Sequence, residues 1–415
     1  MNLQPVKGTK DILPEDYKLF LHVIDTARKV ALNYGYLECA VPIFEYTELF
    51  ERSLGDASDI VNKEMYTFND RKGRSLTLRP EFTASVARSI ISNGLQQNLP
   101  LKLFLNGPLF RYERPQKGRY RQLHQINFEN VGGSDPSIDA EMIAMAYSIL
   151  DKLALSESVT LELNTLGDEQ TRQSYTKELV SYLEKYQSDL SEDSKIRLSK
   201  NPLRILDSKD ESDKKILSDA PSIQEFLTVG AGNFFNGLLR YLDDLGVKYS
   251  INPKLVRGLD YYTHTVFEFT TDYLGAQGTV LAGGRYDNLI KQLSGNLDIP
   301  AIGFAAGIER LMLLFSGKIE AVRTVTLAVL DDALKGLSLK VAKTLRDIDI
   351  PVAVEHIQNP SKAMKKALES NAKFVIFIGS EEAKQNKFKL KDLDSREEFL
   401  LDLSQLINKV SLYEF

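Results

Sequence analysis

Two strand-like runs, 101–112 and 123–131, flank a short loop crowded with arginine. Successive side chains of a strand point to opposite faces. In the first run that alternation sets Arg111 and Glu113 against Phe110 and Tyr112. In the return run it sets Leu123, Gln125, Asn127 and Glu129 against Ile126 and Phe128. Runs of this length, joined this closely, pair as an antiparallel hairpin and demand a sheet to complete them. One face of the hairpin is apolar; the other is strongly polar, in a chain whose 415 residues could bury both. From Arg111 to Arg121 there are five basic residues and one acid. A polyanion across the polar face accounts for them, since guanidinium groups match phosphate geometry bidentately. A solvated loop accounts for the charge alone equally well.

Around the hairpin the pattern is mixed. Helical spacing over 17–32 leads through Asn33-Tyr34-Gly35-Tyr36 into a strand-like 37–43, interrupted near its end by Pro42. A helix is expected over 80–92 with Pro80 in its first turn, and another over 138–153. Strands with helices in this order predict an α+β core. From 167 to 245 the chain turns mostly helical and charged, and strand signals return from 249 to about 304, so a helical insertion within the first domain is expected. After Phe315-Ser316-Gly317 strands and helices alternate, the mark of a small α/β domain with a mostly parallel sheet.

Several chemistries are disfavoured. Cys39 is the sole cysteine and the four histidines are scattered, so no metal site built from His or Cys is expected. There is no Gly-x-x-x-x-Gly-Lys-Ser/Thr loop, and Gly230-Ala-Gly232 reads as a helix-boundary turn. No apolar run is long enough to span a bilayer, and the opening residues lack the features of a targeting peptide; the cytoplasm is the expected compartment. Two further segments draw attention. Leu255 to Phe269 holds paired tyrosines, Tyr261 and Tyr262, beside an Arg-Gly turn, and Leu281 to Asn288 holds a Gly-Gly turn; both suit a small-molecule pocket, although buried tyrosines are more often plain core. The stretch Ala301 to Arg310 runs from strand into helix, and Arg310 falls off the apolar side.

Taken together, the Arg-rich strand–loop–strand and the later Gly-x-x-x-Gly-x-Glu-Arg stretch resemble the second and third motifs of class II aminoacyl-tRNA synthetases. Gly35 to Ile43 resembles the first motif. The segments around Arg257 and Gly283, with Lys7-Gly-Thr-Lys-Asp-Ile-Leu-Pro14 and Leu78-Arg-Pro-Glu81, resemble the histidyl-tRNA synthetase family across essentially the whole chain. The resemblance implies an antiparallel-sheet catalytic domain over 1–166 and 246–317, a helical insertion over 167–245, and a C-terminal α/β anticodon-binding domain over 318–415. It implies ATP-dependent activation of L-histidine, transfer to histidine tRNA, Mg2+ carried in with ATP, and a homodimer built on the first motif. A histidine-sensing regulatory subunit of ATP phosphoribosyltransferase shares this catalytic-domain fold and is the alternative; such subunits typically lack the C-terminal domain and catalytic arginines.

Residue by residue, the resemblance implies that Arg111 holds the α-phosphate of ATP and Glu113 accepts from the adenine amino group. Arg119 and Arg121 reach the outer phosphates, and Arg310 stacks on adenine and touches the terminal phosphate. Glu81, Thr83 and Gln125 take the α-amino end of histidine. Glu129 and Tyr262 read the imidazole, with Tyr261 beside them, and Arg257 bridges the substrate carboxylate and the α-phosphate. Arg111 and Arg257 are thus the expected catalytic residues. Two positions depart from the family pattern: Phe82 where glycine is common, and Leu123 where a phenylalanine usually meets adenine. Between Lys335 and Lys391 there are twelve Lys/Arg against six Asp/Glu, in a chain of net charge −5. Lys362, Lys365 and Lys366, on a helix opened by Asn359-Pro360, are therefore expected to meet tRNA phosphates. For Lys387, Lys389 and Lys391, protection of an edge strand is an equally open reading.

Overall fold

The structure, a computed structural model, describes residues 3–55, 58, 60–275, 278–319 and 322–413. The chain divides into two compact units, Met1–Gly317 and Lys318–Phe415.

The strands of the first unit are β1 (Leu37–Glu38), β2 (Phe44–Tyr46), β3 (Tyr66–Asn69), β4 (Ser75–Leu78), β5 (Leu101–Phe110), β6 (Gln122–Val131), β7 (Thr160–Thr165), β8 (Ser250–Ile251), β9 (Thr263–Thr270), β10 (Thr279–Arg285) and β11 (Ala301–Gly307). Eight of them form one sheet in the order β1-β5-β6-β11-β10-β9-β7-β8. Its six central strands run antiparallel, and only the two-residue ends, β1 and β8, pair in parallel. The hairpin is β5–β6, with Leu101 opposite Val131 and Phe110 opposite Gln122.

Alternation sorts this sheet into two faces. Phe104, Phe128, Phe267 and Phe304 point to one side and pack with the helices Pro14–Asn33 and Pro136–Lys152. There the Phe128 and Phe304 rings stack at 4.7 Å, and each such buried ring contributes roughly 1.5–3 kcal/mol. Leu105, Val131, Val266 and Ala301 point the other way, joining a second core with the helices Thr83–Ser92 and Leu289–Ser294. The candidate site opens on this second face.

The segment 167–245 is helical, as Glu169–Glu184, Glu192–Lys200, Glu211–Leu217 and Val229–Asp244. Tyr175, Leu179 and Leu183 belong to the core on the site face, whereas Phe235, Leu238 and Leu242 of the last helix join the opposite one. Asp213 knits the middle of the segment: its carboxylate accepts from the Ser191 N–H and from the hydroxyls of Ser191, Ser194 and Ser208.

Two local expectations change. The strand expected over 37–43 is only Leu37–Glu38, because the chain leaves the large sheet before Pro42, which has no N–H to give a ladder, and Phe44–Tyr46 pairs instead with β4 in a separate sheet, β2-β4-β3. The helix expected from Pro80 begins at Thr83. Glu81, not the proline, opens it: its two carboxylate oxygens accept from the N–H groups of Thr83 and Ala84 at 2.6 and 2.8 Å.

The second unit has β12 (Thr324–Val329), β13 (Val352–Glu355), β14 (Ala372–Ile378), β15 (Phe388–Asp392) and β16 (Glu398–Leu401), ordered β13-β12-β14-β15-β16. The first three run parallel; β15 and β16 add on antiparallel. Lys389 and Lys391 therefore lie on an interior strand and pair with Glu398 across it, so edge protection is not their task. The helix Pro360–Glu369 buries Ala363 and Ala367, while Leu368 is 61% exposed.

Candidate active site

A cavity of about 400 Å³ opens over the polar side of β6, lined there by Leu123, Gln125 and Asn127. The start of the Thr83–Ser92 helix supplies Glu81, Phe82 and Thr83; the loop after β5 supplies Arg111, Glu113 and Arg119. The segment before β9 brings Arg257, Tyr261 and Tyr262, and the strand-to-helix stretch after β11 brings Arg310. Residues more than 200 positions apart thus share one wall, because β6 pairs with β11 at the centre of the sheet.

The arginines are held rather than loose. Arg111 donates from Nε to the Pro80 carbonyl at 2.8 Å. Arg119 Nε lies 2.7 Å from Glu113 Oε2, and Arg111 stands 3.9 Å from the other oxygen. Arg257 donates to Glu268 Oε2 at 2.8 Å, and the Thr279 hydroxyl donates to the same oxygen. Arg310 donates to the carbonyls of Gly118 and Thr279. Burial pulls the Arg310 pKa below its usual value, Arg119 and Arg111 push it the same way, and Glu113 opposes them. Cations that repel one another in a half-buried pocket are relieved by an anionic occupant.

At the other end the groups are neutral or acidic. Tyr261 and Tyr262 pack ring to ring at 4.7 Å, and both are buried while still lining the cavity. Glu129 is fully buried and does not reach the wall. It lies beneath Gly303, its partner across β6–β11; a Cβ at 303 would sit 1.7 Å from Glu129 Oε2. Its carboxyl accepts from the hydroxyls of Thr83 and Tyr286, which do line the cavity. Burial pushes its pKa up to about 8 against the pull of those two hydroxyls, and the charge of Glu81 adds to the rise. When Glu129 is ionised, both hydroxyls spend their protons on it and present only lone pairs to the cavity, which suits a ring N–H. Burial likewise raises the Glu81 carboxyl.

Arg121 is also off the wall, its guanidinium 3.7 Å over the Tyr112 ring. Sequence reasoning missed Tyr286 and Glu309. Tyr286 lies in the segment Leu281 to Asn288, two residues after its Gly-Gly turn, where a lone tyrosine gives no signal of a role. Glu309 reads as an ordinary acid in a helical first turn, yet it lines the cavity and accepts from the N–H of His124 at 3.0 Å, with His124 Nδ1 at 2.7 Å. In the second unit, Lys362, Lys365 and Lys366 stand exposed on their helix.

Residues 8–311 match the family model for histidyl-tRNA synthetase, and residues 324–412 match that of an anticodon binding domain. The chain belongs to the histidyl-tRNA synthetase family. Proteins named histidine–tRNA ligase from Rickettsia bellii and Rickettsia akari are 51% and 50% identical to it, over 98% and 99% of both chains. The apo Staphylococcus aureus histidyl-tRNA synthetase superposes with a TM-score of 0.83 at 35% identity, covering 99% of this chain and 100% of that one. Membership in the histidyl-tRNA synthetase family accords with the α+β architecture, the large antiparallel sheet and the separate C-terminal unit. Among the described residues no helix is long and apolar enough to cross a membrane.

Proposed function

We propose that this protein activates L-histidine with ATP and transfers it to the 3′ end of histidine tRNA. One observation carries the reading: Arg111, Arg119, Arg257 and Arg310 and a set of buried tyrosines and carboxyls, drawn from segments scattered over the first unit, converge on a single cavity. The histidine carboxylate attacks the α-phosphorus of ATP; a new P–O bond forms, the bond to the β-phosphate breaks, and pyrophosphate leaves. Arg111 and Arg257 stabilise the charge that grows on the α-phosphate, held in place beforehand by Pro80 and Glu268. Arg119 and Arg310 take the outer phosphates, and Glu113 accepts from the adenine amino group, with Leu123 as an aliphatic contact. Glu81, Thr83 and Gln125 hold the α-amino end. Tyr262, Tyr261 and the hydroxyls of Thr83 and Tyr286, with Glu129 behind them, read the ring. A ribose hydroxyl of the tRNA then attacks the acyl carbon and AMP leaves. No covalent enzyme intermediate is required; the protein positions the reactants and neutralises charge.

Mg2+ enters with ATP as part of the substrate. The Glu309 carboxylate at the cavity wall is the kind of hard oxygen donor such an ion takes. The second unit grips the tRNA, with Lys362, Lys365 and Lys366 on phosphates. The protein works in the cytoplasm as a homodimer; exposed Ile43, Phe44, Tyr46 and Phe68 offer the apolar surface for the contact. The whole-chain likeness to proteins named histidine–tRNA ligase supports this over the histidine-sensing regulatory alternative. Incubation of the full chain with ATP, labelled histidine and a histidine tRNA transcript tests it. Charged tRNA is expected; histidine binding with no charging would favour the regulatory role.

A further inference from the structure

The opening stretch around Lys7-Gly8-Thr9-Lys10 has no part in the chemistry above, yet it touches the arginine loop at two places. The Gly8 carbonyl accepts the N–H of Arg121 at 2.7 Å. Gly8 sits at φ +88°, and the aliphatic stem of Arg121 fills the space beside it; a Cβ there would lie 2.7 Å from Arg121 Cγ and 2.8 Å from Cδ. Thr9 donates from both its N–H and its hydroxyl to the Val6 carbonyl, closing the turn that aims Gly8 at the loop. Two residues on, the Lys10 ammonium lies 5.1 Å from the centre of the Tyr120 ring, and Tyr120 lines the cavity.

On its far side Arg121 is equally fixed. Its guanidinium covers Tyr112, its Nε donates to the Glu113 carbonyl at 3.2 Å, and its own carbonyl accepts from the Arg111 N–H at 2.9 Å. The residues it spans, Arg111 and Glu113 on one side and Arg119 and Tyr120 on the other, form the nucleotide end of the cavity.

We infer that residues 6–10 are a strap that positions the arginine loop for ATP, acting through Arg121 as an anchor rather than as a phosphate ligand. Arg121 is pressed between the Gly8 turn and the Tyr112 ring, so its placement sets the separation of Arg111 from Arg119. Glycine is required at 8 because any side chain there both strains the backbone and displaces the anchor. The contacts of the strap described above reach the nucleotide end of the cavity, so its loss is expected to fall on ATP rather than on histidine.

The inference rests on the proposed adenylation, and the test keeps the two apart. Histidine-dependent pyrophosphate–ATP exchange is measured with the full-length chain, varying ATP and histidine separately. Gly8→Ala is expected to raise the KM for ATP about tenfold, the scale of one strained backbone position, and to leave the KM for histidine within about twofold. Arg121→Ala should do the same, and adding Gly8→Ala to it should cost less than the product of the two single effects, because both act in part through one contact. Lys10→Gln leaves the backbone untouched and should raise the KM for ATP about two- to threefold, the worth of an exposed cation–π contact; it carries the test should Gly8→Ala fail to fold. Equal rises in both KM values, additive losses in the double variant, or an unchanged KM for ATP in Lys10→Gln would overturn the strap. Absence of histidine-dependent exchange in the unaltered chain would instead overturn the reading of the site.

Discussion

Arg257 and Glu129 show how far a side chain's role depends on what stands behind it. Glu268 and Thr279, on neighbouring strands, hold Arg257 before any substrate arrives. Removing a preorganised positive group from a phosphoryl transition state costs ~10²–10³ in rate. Arg257→Ala should therefore slow adenylate formation by that factor while weakening histidine binding less than about tenfold. Rapid-quench measurement at saturating substrates checks this, and an unchanged rate contradicts it. Glu129 was legible by alternation along β6, as was the polar face it shares with Gln125 and Asn127. Its depth was not, because the space it occupies exists only where Gly303 lies opposite it, a strand some 170 residues away in sequence. Burial raises its pKa to about 8, so between its unfolded value near 4.5 and 8 the native state binds the proton more tightly than the unfolded chain. Its contribution to stability is then full below that window and falls as pH rises through it. Glu129→Gln should flatten the decline of the thermal midpoint between pH 5 and 8 relative to the unaltered protein; parallel pH profiles would contradict the assignment.

At the scale of elements, the hairpin and the parallel start of the second unit follow from hydrophobic period, which survives tertiary context. The helix start at Thr83 does not. Pro80 is a strong local signal, but the N–H groups of Thr83 and Ala84 are met by Glu81, a carboxylate that also faces the cavity, so the helix begins where the site needs its acid. The helix Pro360–Glu369 is simpler: Asn359 caps it by accepting from the N–H groups of Ser361 and Lys362, and Ala363 and Ala367 seat it. Its three exposed lysines take no part in that seating. Replacing Lys362, Lys365 and Lys366 by Ala should leave the thermal midpoint within a degree or two and flatten the plot of log affinity for tRNA against log salt. Each lost phosphate contact removes ~0.7–0.9 from the slope. Unchanged affinity and slope would make these lysines a solvated face and move the tRNA contacts elsewhere in the unit.

The whole molecule is two units with separate hydrophobic cores: the two faces of the eight-stranded sheet in the first, and a five-stranded sheet in the second. The change of pattern at Phe315-Ser316-Gly317 was visible because both the order of elements and the local charge balance shift there. The segment 167–245 was legible as helical, but its distribution over both faces of the sheet was not, since periodicity names an element's apolar side without naming the surface that covers it. A chain ending at Gly317 keeps every cavity residue, so it should retain amino-acid activation within about tenfold and lose most of its affinity for tRNA, as measured by exchange and by filter binding. Retained tRNA affinity would contradict the division of labour. The central claim, that this cavity joins histidine to AMP, is tested most directly by pyrophosphate–ATP exchange without tRNA, run on the full chain with each of the twenty amino acids in turn. The account predicts exchange with histidine and background with the other nineteen; exchange driven by another amino acid, or by none, would contradict it.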